Sequence, residues 1–119
     1  MSNHGLPASG RLLGSVDFNV VLSKRQRNSD QLFIVYAASN GLERGRLGVT
    51  VSRKVSLRAV RRNRVKRLIR ESFRHHPDIA RGCDFVVIAK QATTSASNED
   101  IIASLETHWS EAKARCGNS

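Results

Sequence analysis

The densest chemistry in this chain is cationic. Arg58, Arg61, Arg62, Arg64, Lys66, Arg67, Arg70 and Arg74 stand within positions 58–74, with Glu71 the one acid among them. These eight basic groups and one acid give +7, while the other 102 residues hold twelve basic and nine acidic groups, so the segment carries most of the net charge of +10. Charge gathered in this way suits one task, the neutralisation of phosphates with release of their counterions. Groups for other chemistries are scattered. His4, His75, His76 and His108 form no cluster, and Asp17, Asp84 and Asp100 read as a first-turn, a strand-start and a capping residue. There is no HExxH, GxSxG, Walker loop or paired-carboxylate spacing. The expectation is no catalytic side chain and no protein metal site.

The cationic groups need an element to hold them. Residues 58–74 lack Gly and Pro, and Pro77 follows, which reads as a helix. At about 100° per residue, Val65, Leu68, Ile69 and Phe73 share one arc and form a buried stripe. Asn63, Arg64, Lys66, Arg67, Arg70 and Arg74 fill the opposite side, interrupted by Glu71, while Arg58, Arg61 and Arg62 stand in the first turn. Eight i,i+3 and i,i+4 pairs on this helix are like-charged and two, Arg67–Glu71 and Glu71–Arg74, are opposite. At ~0.2–0.5 kcal/mol per pair the net cost is roughly 1–3 kcal/mol. Three arginines at the end facing the positive helix pole add to it. A helix selected only for stability would intersperse acids; one that meets phosphates need not.

The remaining elements follow from patterning. Residues 1–14 read as a flexible arm with three Gly, one Pro and little periodicity. Ser15 and Asp17 open a short helix with Phe18, Val21 and Leu22 on its apolar face, ending near Ser23. Gln31–Ala38 reads as a strand with Leu32, Ile34 and Tyr36 on one face and Phe33 and Val35 on the other. After the Asn40-Gly41 turn signal, Leu47, Val49 and Val51 alternate in a second strand expected to pair with the first. Asp84–Lys90 reads as a buried strand, and Ser97-x-x-Asp100 caps a final helix with Ile101, Ile102, Leu105 and Trp109 as its stripe. Residues 24–30 (KRQRNSD) are polar and read as a turn, with a short extra strand as the alternative. Residues 15–115 thus form one α+β domain, followed by a tail at 116–119.

The 119 residues are 39% hydrophobic and 25% charged, a globular composition too small for a large catalytic cavity. The charge favours polyanions as partners, nucleic acid ahead of an anionic membrane. No run approaches the ~18 apolar residues of a membrane span, and no secretory signal is present, so a soluble, cytoplasmic protein is expected. Cys83 and Cys116, with no close spacing, read as free thiols. A DNA-reading helix-turn-helix requires a helix just upstream of the basic one, and the pattern there is a strand. RNA readers use surfaces, clefts and base stacking, which a sheet bearing Tyr36 can supply.

Arg61-Arg62-Asn63-Arg64-Val65-Lys66-Arg67-Leu68-Ile69-Arg70-Glu71-Ser72-Phe73-Arg74 resembles the RNR signature of the bacterial ribonuclease P protein family. Leu47–Lys54 resembles that family's strand ending in two basic residues, and Arg11-Leu12-Leu13 with Asp17-Phe18 its N-terminal segment. Asp84–Lys90 and Leu105 with Trp109 resemble its last strand and closing helix, so the likeness runs from about Arg11 to about Arg115. The resemblance implies an α-β-β-β-α-β-α fold like the second domain of ribosomal protein S5, with a left-handed crossover. It implies the protein subunit of a tRNA 5′-maturation endonuclease whose RNA subunit is catalytic and, with the substrate, holds the Mg²⁺. On this resemblance Arg53, Lys54, Arg58, Arg61, Arg62, Asn63, Arg64, Lys66, Arg67 and Arg70 face the catalytic RNA. Phe18, Leu22, Ile34, Tyr36 and Thr50 line a cleft for the precursor tRNA leader. Leu22 stands where some members carry a second Phe, and Val55-Ser56-Leu57-Arg58 where some have a Gly. A monomer bound 1:1 to the RNA, with no DNA or membrane partner, completes the expectation. A general RNA-binding or ribosomal module without a processing role is the alternative.

Overall fold

The computed structural model describes residues 21–22, 27–40, 45–76 and 82–117, with side chains through Ala114. The arm at 1–14 and Phe18 lie outside the described residues; of the predicted first helix, Val21 and Leu22 are described, and both are helical. The elements are β1 (Arg27–Ser29), β2 (Phe33–Ser39), β3 (Arg46–Thr50), α1 (Ala59–Arg74), β4 (Cys83–Ala89), a short 3-10 turn (Gln91–Thr94) and α2 (Asn98–Gly117). They make an α+β domain with a four-stranded sheet. The strand anticipated near 24–30 is β1.

The sheet order is β1-β2-β4-β3, with β1–β2 and β2–β4 antiparallel and β3–β4 parallel. This corrects the expectation that residues 47–52 pair with residues 31–38: β4 lies between them. The reason is visible in β4 itself. Six of its seven residues are buried, so it needs neighbours on both edges, whereas β3 ends in half-buried and exposed residues. The parallel β3–β4 pair requires a crossover, and α1 provides it.

Register assigns the two faces. Phe33, Val35 and Ala37 of β2 stand beside Ala89, Val87 and Phe85 of β4, with Val49 and Leu47 of β3 in the same rows. This face meets the stripe Val65, Leu68, Ile69 and Phe73 of α1 and Ile101, Leu105, Trp109 and Ala112 of α2 in the main core. Phe73, Phe85 and Trp109 pack mutually edge-to-face at 5.5–5.7 Å between centroids. The indole Nε1–H of Trp109 donates to the buried Ser72 hydroxyl at 2.8 Å. Ile102, assigned to the apolar stripe, is instead exposed, because the helix face toward the sheet is narrower than that stripe.

The ends are fixed by local chemistry. Ser97 Oγ accepts from the Asp100 amide at 3.0 Å, the expected cap of α2. Arg46 grips Asp84 with two hydrogen bonds, Nε to Oδ1 at 2.8 Å and Nη2 to Oδ2 at 2.7 Å, across the parallel pair. Asn40 Nδ2 donates to the same Oδ1 at 2.9 Å. Asp84 is therefore more than a strand-start residue; it joins three segments. Cys83 is disulfide-bonded, not a free thiol. Separation along a sequence carries no distance information, so pairing could not be read from it.

Candidate nucleic-acid interface

The basic surface begins where β3 runs out. A turn after Val51 is tied down by Val55 N–H donating to Ser52 O at 3.0 Å and Lys54 N–H to Ser52 Oγ at 3.2 Å. Gln91 Nε2 donates to Lys54 O at 2.9 Å, pinning the turn to the end of β4. Val55 is buried and anchors it from below. Arg53 and Lys54 are thereby held exposed on a fixed backbone. Arg58 is the N-cap of α1, with extended backbone and no side-chain cap, and its amide donates to Ser56 Oγ at 3.1 Å.

Along α1 and its N-cap the other eight expected RNA-facing residues divide. Arg58, Arg61, Asn63 and Arg67 are exposed and Lys66 half-buried, and none of their side chains has a partner among the described residues. Arg62 and Arg64 are engaged. Arg62 Nη1 donates to Ser56 O at 2.9 Å and locks the turn onto the helix. Arg64 donates from Nη2 to Ala96 O at 2.8 Å and to Asn98 Oδ1 at 2.7 Å, and from Nε to Asn98 Oδ1 at 3.0 Å. It binds α1 to the start of α2. These partners are neutral carbonyls, so neither hydrogen-bonding set offsets the positive charge with an acid. Arg70 is half-buried on the same helix. Val60, Asn63, Arg64, Arg67, Arg70, Glu71 and Arg74 line one open recess.

The opposite sheet face carries Ile34, Tyr36 and Thr50 of the expected cleft. Ser29, Ile34, Ile88 and Thr50 stand in one cross-strand row, and Arg27, Tyr36, Val86 and Gly48 in the next. Val21 packs on Ala38 and Val86, with Leu22, Tyr36 and Ile88 half-buried around them. Leu22, Ile34, Tyr36 and Thr50 are thus brought to one surface, beside the helical residues that bound it. Reading the sequence missed Arg27, which sits opposite Tyr36 in register. Its guanidinium lies 6.0 Å from the Tyr36 ring centroid, and Nη1 donates to the phenol oxygen at 3.3 Å. The signal was obscured because 24–30 read as a polar turn and β1 gives no apolar alternation.

A second polar cluster ties β1–β2 to α2. Asp30 accepts from the amides of Leu32 at 2.8 Å and Phe33 at 2.9 Å and from the Ser104 hydroxyl. Buried His108 places Nε2 3.2 Å from Asp30 Oδ2, off the line of a well-formed hydrogen bond. Partial burial alone would raise the Asp30 carboxyl; the Ser104 hydroxyl, the two amides and His108 outweigh it and hold the pKa at about 2. Ser104, Asp30 and His108 do not form a nucleophile–base pair, because both partners converge on the carboxylate. Among the described residues no three His, Cys, Asp or Glu stand close enough to hold a metal ion. No helix among them is long and apolar enough to cross a membrane.

Comparisons with known proteins converge. The family model described as Ribonuclease P matches residues 6–113. The ribonuclease P protein component of Methylococcus capsulatus is 40% identical over 116 residues, covering 98% of this chain and 91% of that one. The component from Nitrosococcus oceani is 38% identical over 119 residues, covering all of both chains. A mutant RNase P protein of Staphylococcus aureus superposes with a TM-score of 0.79 at 35% identity, covering 84% of this chain and 85% of that one.

Proposed function

The chain belongs to the ribonuclease P protein family, a component of a tRNA-processing ribonucleoprotein, and from that premise we propose that its basic face binds the catalytic RNA while its open sheet face holds the 5′ leader of precursor tRNA. The observation that carries this reading is the row of exposed cations, Arg53, Lys54, Arg58, Arg61 and Arg67, with no side-chain partner among the described residues. Their mutual repulsion is relieved when phosphates dock and counterions leave. Arg62 and Arg64 serve the same surface by fixing the turn and the helix beneath it. In the cleft Tyr36 offers a ring to an unpaired base and Arg27 a charge to its phosphate, with Leu22, Ile34 and Thr50 alongside.

On this reading no side chain of the protein is a nucleophile or general base. Mg²⁺, held by the RNA and the substrate, supplies the hydrolytic chemistry. The protein contributes charge neutralisation and positioning of the leader. It acts in the cytoplasm as a monomer, bound 1:1 to the RNA.

The test is reconstitution with the ribonuclease P RNA of the same organism at low Mg²⁺, scored by leader removal. Adding the protein is expected to raise cleavage, and Tyr36→Ala to lower affinity for precursor tRNA more than for mature tRNA. No stimulation by the wild-type chain would end the proposal. Equal loss on both tRNAs would remove the cleft from it.

A further inference from the structure

Leu57 and Val60 are 84% and 79% exposed, the two most exposed large apolar side chains among the described residues. They do not belong to a loose segment. Leu57 lies between Ser56, whose hydroxyl accepts from the Arg58 amide and whose carbonyl accepts from Arg62 Nη1, and the cap of α1 itself. Val60 is in the first turn of α1, about 140° around the axis from Val65, on the side opposite the buried stripe. A rigid backbone therefore presents two apolar side chains to solvent at the entrance of the basic helix.

The surroundings select the occupant. Arg58 stands between the two in sequence and Arg61 directly after Val60, and Arg64 and Arg67 follow Val60 at one and two turns, with no acid from Leu57 to Arg70. A second copy of this chain, itself +10, would bring like charge to the patch. RNA brings phosphates to the arginines and, wherever a base is unstacked, an apolar face to the aliphatic pair. Paired A-form helix hides those faces and cannot use the patch.

We propose that Leu57 and Val60 form an apolar platform on which the RNA partner lays an unstacked nucleobase, with the flanking phosphates held by Arg58 and Arg61. This rests on the reading of α1 as the RNA-facing helix and adds to it a preference for a bulged or looped nucleotide. The contact is uncharged, so its contribution does not fade with salt as the arginine contacts do.

The experiment compares wild type, Leu57→Ser/Val60→Ser and Leu57→Phe in binding the full-length ribonuclease P RNA across a salt series. Thermal melting and sedimentation of each protein alone accompany the titrations. Both positions are solvent-facing, so the double variant is expected to melt close to wild type. It should bind about tenfold more weakly at every salt concentration, leaving the slope of affinity against salt unchanged, and Leu57→Phe should retain or gain affinity. Unchanged affinity of the double variant, or a change confined to self-association in sedimentation, overturns the platform. A wild-type chain that fails to stimulate cleavage overturns the parent reading instead, so the two failures are told apart.

Discussion

Asp30 illustrates how one side chain can link distant parts of the chain. Its carboxylate closes the β1–β2 turn through the Leu32 and Phe33 amides and reaches α2 through Ser104 and His108. With its folded pKa at about 2, against an ordinary 3.8, it favours the folded state while ionised. That contribution is complete above about pH 4 and is lost as pH falls from there toward 2. The side chain is 40% exposed, so screening limits the effect to about 1 kcal/mol or less. Asp30→Asn should therefore lower the melting temperature at neutral pH by a few degrees and flatten the decline between pH 4 and 2. Parallel stability–pH curves for wild type and variant would contradict this. Asp30 could be read from the sequence only as part of a polar turn, because both of its partners on α2 lie more than seventy residues away.

Among the elements, α1 was the most legible. Its 3.6-residue period placed Val65, Leu68, Ile69 and Phe73 on the core side, and all four are buried. Periodicity says which side a residue occupies but not what its polar end meets. Arg64 and Arg67 both lie on the solvent side by angle, yet Arg64 is tied to Ala96 and Asn98 while Arg67 has no partner among the described residues. That difference predicts different phenotypes. Arg67→Ala should weaken RNA binding and reduce its salt slope by up to about one, with melting unchanged. Arg64→Ala should also lower thermal stability, by about 1 kcal/mol for the lost hydrogen bonds between α1 and α2. Equal melting of the two variants would show that the link to α2 is energetically idle. Strand pairing was less legible for a related reason. Alternation in β3 identifies a strand and its faces, but β2 and β4 both offer it apolar neighbours, and only the nearly complete burial of β4 selects the centre.

At the scale of the molecule, one core joins both helices to one sheet face, and Trp109 stands in its middle against Phe73 and Phe85. Trp109→Ala removes that contact and leaves the Ser72 hydroxyl without its donor, a loss of about 3–5 kcal/mol. Against the ~5–15 kcal/mol of an ordinary domain this is a large fraction. The melting temperature should fall by at least ten degrees or so while unfolding stays a single transition by circular dichroism and by fluorescence of an added dye. Two separate transitions would mean that α2 and the sheet do not share one core. The strand order has a consequence for synthesis on the ribosome. β4, the strand that joins β2 to β3, is the last of the four to be made, after α1. Until Cys83–Ala89 has emerged, β2 and β3 have no common partner, and the cationic helix precedes the sheet that will orient it. A nascent chain stalled in that interval would display open strand edges beside a strong positive charge. Release of the final third of the polypeptide is thus the step that turns a sticky intermediate into a finished subunit.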